Sequence, residues 1–367
     1  MDGYAVRAKD VAGASEPTPV TLTVVGTVAA GQVGGRPLGD GEAIRIMTGA
    51  PIPPGADCVV RVEDTDGGLD RVAIRRAGGV GASIRPAGED IAMGDIALPI
   101  GTELGGAQLA LLAAMGELTP LVHRRPRVAL LASGDELAEP GTAAASAPGR
   151  VVATNSLALA ALLCADGALV TDLGWVGDSP TALAERAAQA AEHDLLVTTG
   201  GISVGAHDYT RSALATHGLE LDFWRVHVRP GAQTAYGHLH SLGGIRWLGL
   251  PGNPVSAQVT YEIFVRPLVR MWQGRANPFR ALVPVRLAAS VTRRGPDLHL
   301  PRATLEPTAD GWLARLTGPQ GSNLLSSMSR ADALLVIPPE AGELAAGTTV
   351  QAMLLRDTPL HTGTIPW

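Results

Sequence analysis

Three short apolar runs in the middle of the chain are each followed by a polar or glycine-rich loop and then by a helix-like segment. The runs cover residues 128–131, 195–199 and 245–250. Strands of a parallel sheet are buried on both faces and are joined by crossover helices, so their sequences are continuous apolar runs separated by helical stretches. The pattern therefore predicts a central doubly wound α/β domain over residues 127–275.

The segments on either side of this region have a different pattern. Residues 1–95 contain strand-like β-branched runs such as 21–28, separated by glycine and proline, which predicts a β-rich N-terminal domain. Residues 276–367 return to short alternating strands and predict a small C-terminal β domain. The intervening residues 96–126 contain one predicted helix, 107–115. We thus expect an α/β multidomain chain with a β domain on each side of the central one.

Composition and charge argue against several functions. The net charge is −6, and of the 29 lysines and arginines only Lys9 is a lysine. The arginines are scattered, whereas a nucleic-acid-binding surface needs clustered positive charge. No apolar run reaches the roughly 18 residues of a transmembrane helix. Cys58 and Cys164 form neither a metal-ligand spacing nor a disulfide framework, which fits a reducing cytoplasm. We expect a cytoplasmic protein without nucleic-acid or membrane partners.

Loops that follow the three predicted strands would meet at one edge of the sheet. The first loop contains Asp135 and Glu136, the second covers residues 200–208, and the third covers residues 251–256. Ligands of open parallel sheets bind at the carboxyl ends of the strands. We therefore expect the binding site where these three loops meet.

The second loop contains Gly200, Gly201, Ser203 and Gly205 and leads into a predicted helix. Glycines let the backbone approach a ligand closely, and the free N–H groups at a helix N-terminus favour a phosphate. The loop is not a P-loop, because no Gly-Lys-Ser/Thr ends it, and its glycine spacing is not that of a dinucleotide fingerprint. A phosphate site and an ordinary tight turn are equally compatible with these residues.

Three carboxylates are candidates for holding a divalent cation beside that phosphate. Asp208 stands at the predicted helix start, and Asp135 and Glu136 would lie on the neighbouring loop. Mg²⁺ prefers one or two carboxylates together with phosphate oxygens and water. Each acid alone has a structural explanation, such as a helix N-cap for Asp208. Three acids at one sheet edge favour a magnesium site.

The third loop has two prolines around one glycine, in the order Pro251-Gly252-Asn253-Pro254. A rigid turn before a helix would direct backbone amides and the Ser256 hydroxyl toward an anion. The alternative is simple punctuation between a strand and a helix.

Seven motifs along essentially the whole chain occur together in one known family. They are Met1-Asp2-Gly3-Tyr4, Ile44-Arg45-Ile46-Met47-Thr48-Gly49-Ala50, Arg85-Pro86-Ala87-Gly88-Glu89-Asp90, Ser133-Gly134-Asp135-Glu136-Leu137, Gly200-Gly201-Ile202-Ser203-Val204-Gly205, Asp208-Tyr209 and Pro251-Gly252-Asn253-Pro254-Val255-Ser256. Because these motifs occur together and in the same order as in that family, the chain resembles the molybdopterin molybdenumtransferases, the family of MoeA and the gephyrin E domain. The resemblance implies Mg²⁺-dependent insertion of molybdate into adenylylated molybdopterin with release of AMP. Such chemistry needs mainly charge neutralisation and positioning.

The resemblance also implies roles for individual residues. It implies catalytic roles for Asp2, Thr48, Asp90, Asp135, Glu136, Asp178 and Asp208, of which Glu136 and Asp208 would bind the metal. It implies substrate binding by Gly200, Gly201, Ser203, Gly205, Arg229, Pro251, Gly252, Asn253, Pro254 and Ser256. Asp2, Thr48 and Asp90 would reach the cleft from the partner subunit, so we expect a homodimer with its active site at the subunit interface. Contact with a molybdopterin adenylyltransferase is a further expectation.

Two departures from the family pattern bear on these expectations. Family members have several tens of residues before the Asp2 motif, so residues 96–126 would be the remnant of an elongated dimerisation domain, and we expect a misassigned start codon. The family usually has Lys-Pro-Gly-Lys-Pro where this chain has Arg229-Pro230-Gly231-Ala232-Gln233. Ala232 thus removes one positive charge from the loop expected to bind the oxyanion.

Two other functions remain open on the sequence. A molybdopterin adenylyltransferase has a fold like that of the central domain, but stand-alone adenylyltransferases lack the flanking β domains. A non-catalytic scaffold, like the gephyrin E domain in its receptor-binding role, is compatible with Ala232. The retained acids Asp135, Glu136 and Asp208 argue against a lost active site.

Overall fold

The chain divides into two units, residues 1–97 and residues 98–367. The structure, a computed structural model, describes residues 2–32, 36–201, 209–292 and 295–356. Within this part of the chain, no helix combines the length and the apolar character needed to cross a membrane.

A five-stranded mixed sheet forms the first unit. Its strands are β1 (Gly3–Val6), β2 (Val20–Val28), β3 (Glu42–Ile46), β4 (Cys58–Arg61) and β5 (Arg71–Ile74). They lie in the order β4-β1-β3-β2-β5, with only β2 and β3 parallel. The strand β1 is buried at all four positions because it lies inside the sheet. The β-rich prediction for this region is confirmed.

The second unit begins with helix α1 and continues with the predicted alternation of strands and helices. Its helices are α1 (Gly106–Ala114), α2 (Asn155–Ala165), α3 (Pro180–Ala187), α4 (Tyr209–Ala215), α5 (Pro254–Thr260), α6 (Arg266–Trp272) and α7 (Leu325–Ser329). Its strands up to residue 250 are β6 (Arg127–Ser133), β7 (Leu137–Ala138), β8 (Val151–Val152), β9 (Leu169–Val176), β10 (Leu195–Thr199), β11 (Leu219–Trp224), β12 (Val228–Arg229), β13 (Ala235–Leu239) and β14 (Ile245–Leu250).

A six-stranded sheet in the order β11-β13-β14-β10-β6-β9 forms the core of this unit. Strands β14, β10, β6 and β9 are parallel, whereas β13 and β11 join one edge in antiparallel register. The doubly wound prediction is confirmed, because α3 and α4 pack on one face of the sheet and α2 and α6 on the other. The sheet is mixed rather than purely parallel, because the chain turns back as a hairpin after β11.

Five of the strands described after residue 250 close into a small barrel. The strands of this region are β15 (Leu282–Leu287), β16 (Val291–Thr292), β17 (Leu298–His299), β18 (Arg302–Thr308), β19 (Gly311–Leu316), β20 (Ala333–Val336), β21 (Glu343–Leu344) and β22 (Thr349–Leu354), of which β16 pairs with β21 and β17 with β12 outside the barrel. The barrel has the order β15-β19-β18-β20-β22, and β15 and β22 pair with each other. Closure leaves no exposed edge among these five strands, and their inward side chains form a separate apolar cluster.

Candidate functional site

Two neighbouring cavities open at the carboxyl ends of β6, β10 and β14. The edge cavity has a volume of about 770 Å³ and is lined by Glu136, Asp178, Gly200, Gly201, Gly252 and Pro254, among others. The barrel-side cavity has a volume of about 530 Å³ and is lined by Arg229, Pro251, Ser256, His299 and Ser322, among others. Gln233, Asn253 and Asn323 line both cavities. The described residues of the loops after β6, β10 and β14 therefore lie at one edge of the sheet, around two cavities that share three lining residues, as the strand–loop–helix pattern predicted.

The backbone conformation and the close packing after β10 require glycine at both position 200 and position 201. Gly200 and Gly201 have φ angles of +84° and +62°, which favour residues without a Cβ. A Cβ on Gly200 would lie 2.3 Å from the Ser133 carbonyl oxygen, and one on Gly201 would lie 2.3 Å from Thr210 Oγ1. The backbone here is packed directly against the end of β6 and lines the edge cavity.

The two acids of the first loop point in different directions. Glu136 lines the edge cavity, and Gly134 leaves room for its carboxylate, because a Cβ on Gly134 would lie 2.4 Å from Glu136 Oε2. Asp135 is not among the described lining residues of either cavity. Its Oδ1 instead accepts the backbone N–H of Asp178 at 3.0 Å, and Arg150 donates to its carbonyl oxygen. The Asp135 carboxylate therefore holds the backbone of Asp178 in place, and Asp178 lines the edge cavity.

The proline-flanked turn is fixed to both neighbouring loops. Asn155, at the start of α2, donates from Nδ2 to the carbonyl oxygen of Gly252 at 2.8 Å. A Cβ on Gly252 would lie 3.4 Å from the Gly200 Cα, so the turn and the glycine pair are in close contact. Ser256 is 4% exposed in the first turn of α5 and lines the barrel-side cavity.

A loop of the barrel, residues 320–323, forms the far wall of the barrel-side cavity. Arg302, 1% exposed, donates to the carbonyl oxygens of Gln320 and Gly321 at 3.2 and 3.0 Å and to Ser327 Oγ. Burial lowers the pKa of the Arg302 guanidinium, yet five donors in one plane still fix the loop in place. The sequence motifs included neither this loop nor His299, and the only local signal for the loop is the turn pair Gly318-Pro319.

The two ends of the cleft have opposite charge. Among the described residues that line the edge cavity, only Glu136 and Asp178 carry a formal charge, and both are negative. Among the described residues that line the barrel-side cavity, Arg229 is the only arginine or lysine, and there is no aspartate or glutamate. Hard carboxylate oxygens beside a phosphate suit Mg²⁺, so these residues fit that ion. No cluster of three or more potential metal ligands occurs among the described residues, and Asp208, Ser203 and Gly205 lie outside them.

Asp2 and Thr48 come together in the first unit. Asp2 Oδ1 accepts hydrogen bonds from the Thr48 backbone N–H at 2.9 Å and from its hydroxyl at 3.0 Å. These two bonds hold the pKa of Asp2 below its usual value, the backbone bond most strongly. Asp90 is exposed on a bend of the same unit.

Three family models match successive regions of the chain. Residues 1–116 match the MoeA N-terminal region (domains I and II), residues 129–271 the probable molybdopterin-binding domain, and residues 284–355 the MoeA C-terminal region (domain IV).

Curated relatives and solved structures extend over nearly the same length. Molybdopterin molybdenumtransferase 2 of Mycobacterium tuberculosis is 39% identical over 361 residues, which is 96% of this chain and 86% of the relative. Molybdopterin molybdenumtransferase of Bacillus subtilis is 32% identical, over 97% of this chain and 83% of the relative. A crystal structure of the molybdopterin biosynthesis MoeA protein from Pyrococcus horikoshii has a TM-score of 0.81 and 27% identity, covering 96% of this chain and 86% of that one. With this identity and coverage, the chain belongs to the molybdopterin molybdenumtransferase (MoeA) family.

Proposed function

We propose that the chain inserts molybdenum from molybdate into adenylylated molybdopterin and releases AMP in a Mg²⁺-dependent reaction. As a member of its family the chain is a transferase. The observation that carries the finer proposal is the cleft itself, with carboxylates at one end and an arginine at the other. An anionic nucleotide with its metal ion and a separate oxyanion would find opposite charges at the two ends.

The acidic end is the proposed place of phosphate cleavage. Glu136 and Asp178 would hold Mg²⁺, which when bound neutralises charge on the phosphate oxygens. Gly200 and Gly201 expose backbone to the cavity, so a phosphate can approach closely. Asp208, which the resemblance pairs with Glu136 as a metal ligand, lies outside the described residues and remains a prediction.

The arginine end is the proposed place of molybdate binding. Arg229 would supply positive charge, and the Ser256 and Ser322 residues lie in the same cavity. An arginine binds an oxyanion through a planar fork rather than as a point charge. With Ala232 also lining this cavity, the chain offers one charge fewer than the family pattern.

The remaining parts of the proposal concern assembly. The Asp2–Thr48 pair and Asp90 would complete the cleft from the partner subunit of a homodimer. The cytoplasm is the proposed location, and contact with a molybdopterin adenylyltransferase would deliver the adenylylated substrate.

The test follows AMP release and cofactor formation by the purified chain given adenylylated molybdopterin, Mg²⁺ and molybdate. We expect Glu136→Gln to reduce AMP release at least about tenfold, because a ligand carboxylate loses its charge. Asp135→Asn keeps an oxygen for the Asp178 N–H and should lose less. The matched control is Glu185→Gln, on the exposed side of α3, which should behave as wild type.

Three outcomes would count against the proposal. Undiminished AMP release by Glu136→Gln would remove the acidic end from the mechanism. Net synthesis of adenylylated molybdopterin from ATP would favour an adenylyltransferase. Absence of both activities in the folded protein would favour a scaffold.

A further inference from the structure

Asn155 joins helix α2 to the proline-flanked turn, 97 positions further along the chain. It is the first residue of α2, and its Nδ2 donates to the carbonyl oxygen of Gly252 at 2.8 Å. Leu159 and Leu163 lie one and two turns later on the same face of the helix and are 0% exposed in the core beside the sheet. Because residues four apart share a helix face, this packing fixes where the Asn155 amide can reach.

Capping of α2 does not explain the asparagine. The N-cap residue is Thr154, and its side chain makes no capping hydrogen bond. An asparagine that caps a helix accepts a backbone N–H from the first turn of that helix. The Asn155 amide instead donates away from its own helix, to Gly252. The bond therefore holds the turn rather than the helix.

The two prolines of the turn do not fix the peptide between Gly252 and Asn253. Proline rings set φ at Pro251 and Pro254, and a residue before proline is confined to extended ψ values, as Asn253 is with ψ 127°. The direction of the peptide between Gly252 and Asn253 depends on two other angles, ψ of Gly252 and φ of Asn253. Glycine tolerates most backbone conformations, so rotation of this peptide is opposed by the hydrogen bond from Asn155.

The direction of this peptide shapes both cavities. The peptide is trans, so its C=O and N–H point in opposite directions, and a carbonyl turned toward α2 directs the Asn253 N–H away from that helix. Asn253 lines both cavities, and Gly252 lines the edge cavity. A Cβ on Gly252 would lie only 3.4 Å from the Gly200 Cα. A rotated peptide would therefore change the walls of both cavities.

We propose that Asn155 is a positioning residue for molybdenum insertion, because its amide keeps the Gly252–Asn253 peptide in the direction that gives both cavities their shape. This inference rests on the proposed function. Asn155 is not among the described lining residues of either cavity, so its effect on the substrates passes through the turn. Pro251 and Asn253 line the barrel-side cavity, the proposed place of molybdate binding. The KM for molybdate therefore reports the position of the turn.

The test measures cofactor formation at varied molybdate concentration by the full chain and its variants Asn155→Asp, Asn155→Ala and Ser156→Asp. Aspartate has the shape of asparagine, but an ionised carboxylate only accepts hydrogen bonds and repels the Gly252 carbonyl. We expect the KM for molybdate to rise about tenfold in Asn155→Asp, because a hydrogen bond is lost and its acceptor is left unpaired, and to rise less in Asn155→Ala. The unfolding midpoint of Asn155→Asp should stay near that of the wild type, because an acid in the first turn of a helix offsets the lost bond.

Ser156→Asp is the matched control. It places the same negative charge on the next residue of α2 and leaves the bond to Gly252 intact, so its KM should equal that of the wild type. An equal rise of KM in Ser156→Asp and Asn155→Asp would overturn the inference, because charge and not the bond would then be the cause.

Two further results would overturn the inference while the wild type forms cofactor. One is an unchanged KM in Asn155→Asp. The other is a lower kcat and a lower unfolding midpoint at unchanged KM, because a merely structural role reduces the amount of folded enzyme and leaves the site as it was. A wild type that forms no cofactor would overturn the proposed function and, with it, the inference.

Discussion

Asp166 is the anionic centre of a buried ion cluster, and we predict that Asp166→Asn strongly destabilises the second unit. Asp166 follows the last residue of α2 and is 6% exposed. Its Oδ2 accepts the Tyr261 hydroxyl at 2.6 Å. Its Oδ1 lies 3.1 Å from Arg266 Nε and 3.6 Å from Arg270 Nη1. The carboxylate thereby joins α2 to the long helical segment that begins at the proline-flanked turn.

Charge balance sets the size of the effect. Glu262, which accepts two hydrogen bonds from Arg280 at 2.8 and 3.1 Å, is the second carboxylate beside three guanidinium groups. Burial already lowers the pKa of Arg266, and Arg280 lowers it further. Asparagine at 166 would leave one carboxylate for three cations. Removing one partner of a buried ion pair costs about 3–5 kcal/mol, a large share of the roughly 5–15 kcal/mol that stabilises a domain.

Tyr261→Phe is the matched comparison, because it removes one hydrogen bond to Asp166 and leaves every charge in place. Its expected cost is about 1–2 kcal/mol. Urea unfolding followed by tryptophan fluorescence measures both variants, and Trp247 and Trp272 lie in the two cores around the sheet. AMP release at low temperature should persist in both. A loss below about 1 kcal/mol for Asp166→Asn, or one equal to that of Tyr261→Phe, would refute the charge argument.

Two further predictions concern charge at the cleft and at the surface. Ala232→Lys returns a cation to the barrel-side cavity beside Arg229, and the KM for molybdate should fall about tenfold with kcat little changed; an unchanged KM would mean that this loop does not contact the oxyanion. The Arg124 guanidinium, hydrogen-bonded to Asp194 at 2.5 and 2.6 Å, holds the pKa of that carboxyl below its usual value. Because the folded-state pKa is depressed, the stabilisation is complete above the unfolded value of about 4 and is lost as the pH falls through the folded value. Asp194→Asn should therefore lower the unfolding midpoint at pH 7 but not at the acid end of a titration, and a constant difference across pH would contradict this assignment.

Local sequence was sufficient for the central strands and helices. Strands β10 and β14 begin and end where the apolar runs predicted. A strand buried on both faces has no polar alternation, so its ends are marked sharply by the turn residues that follow. The three continuous apolar runs also predicted that the loops following them lie at one edge of one sheet.

Strands at the margins of that sheet were missed for the converse reason. β9 and β11 are largely half-buried or exposed, and each lies at an edge of the sheet. An edge strand with a solvated face mixes polar and apolar residues, so its sequence resembles a loop. The antiparallel strand β13 could not be predicted either, because its place in the sheet is set by pairing with β14 and not by a local sequence pattern.

The sequence by itself determined the fold class, the family and the three loops that carry the candidate site. It did not determine which members of those loops face the cleft. Asp135 and Glu136 are neighbours in one motif, yet one bonds the backbone at Asp178 and the other lines the cavity. The barrel loop 320–323 lines the same cleft, although none of the seven motifs includes it. Side-chain direction and contacts between distant segments depend on how elements pack, and packing is settled only when the whole chain is folded.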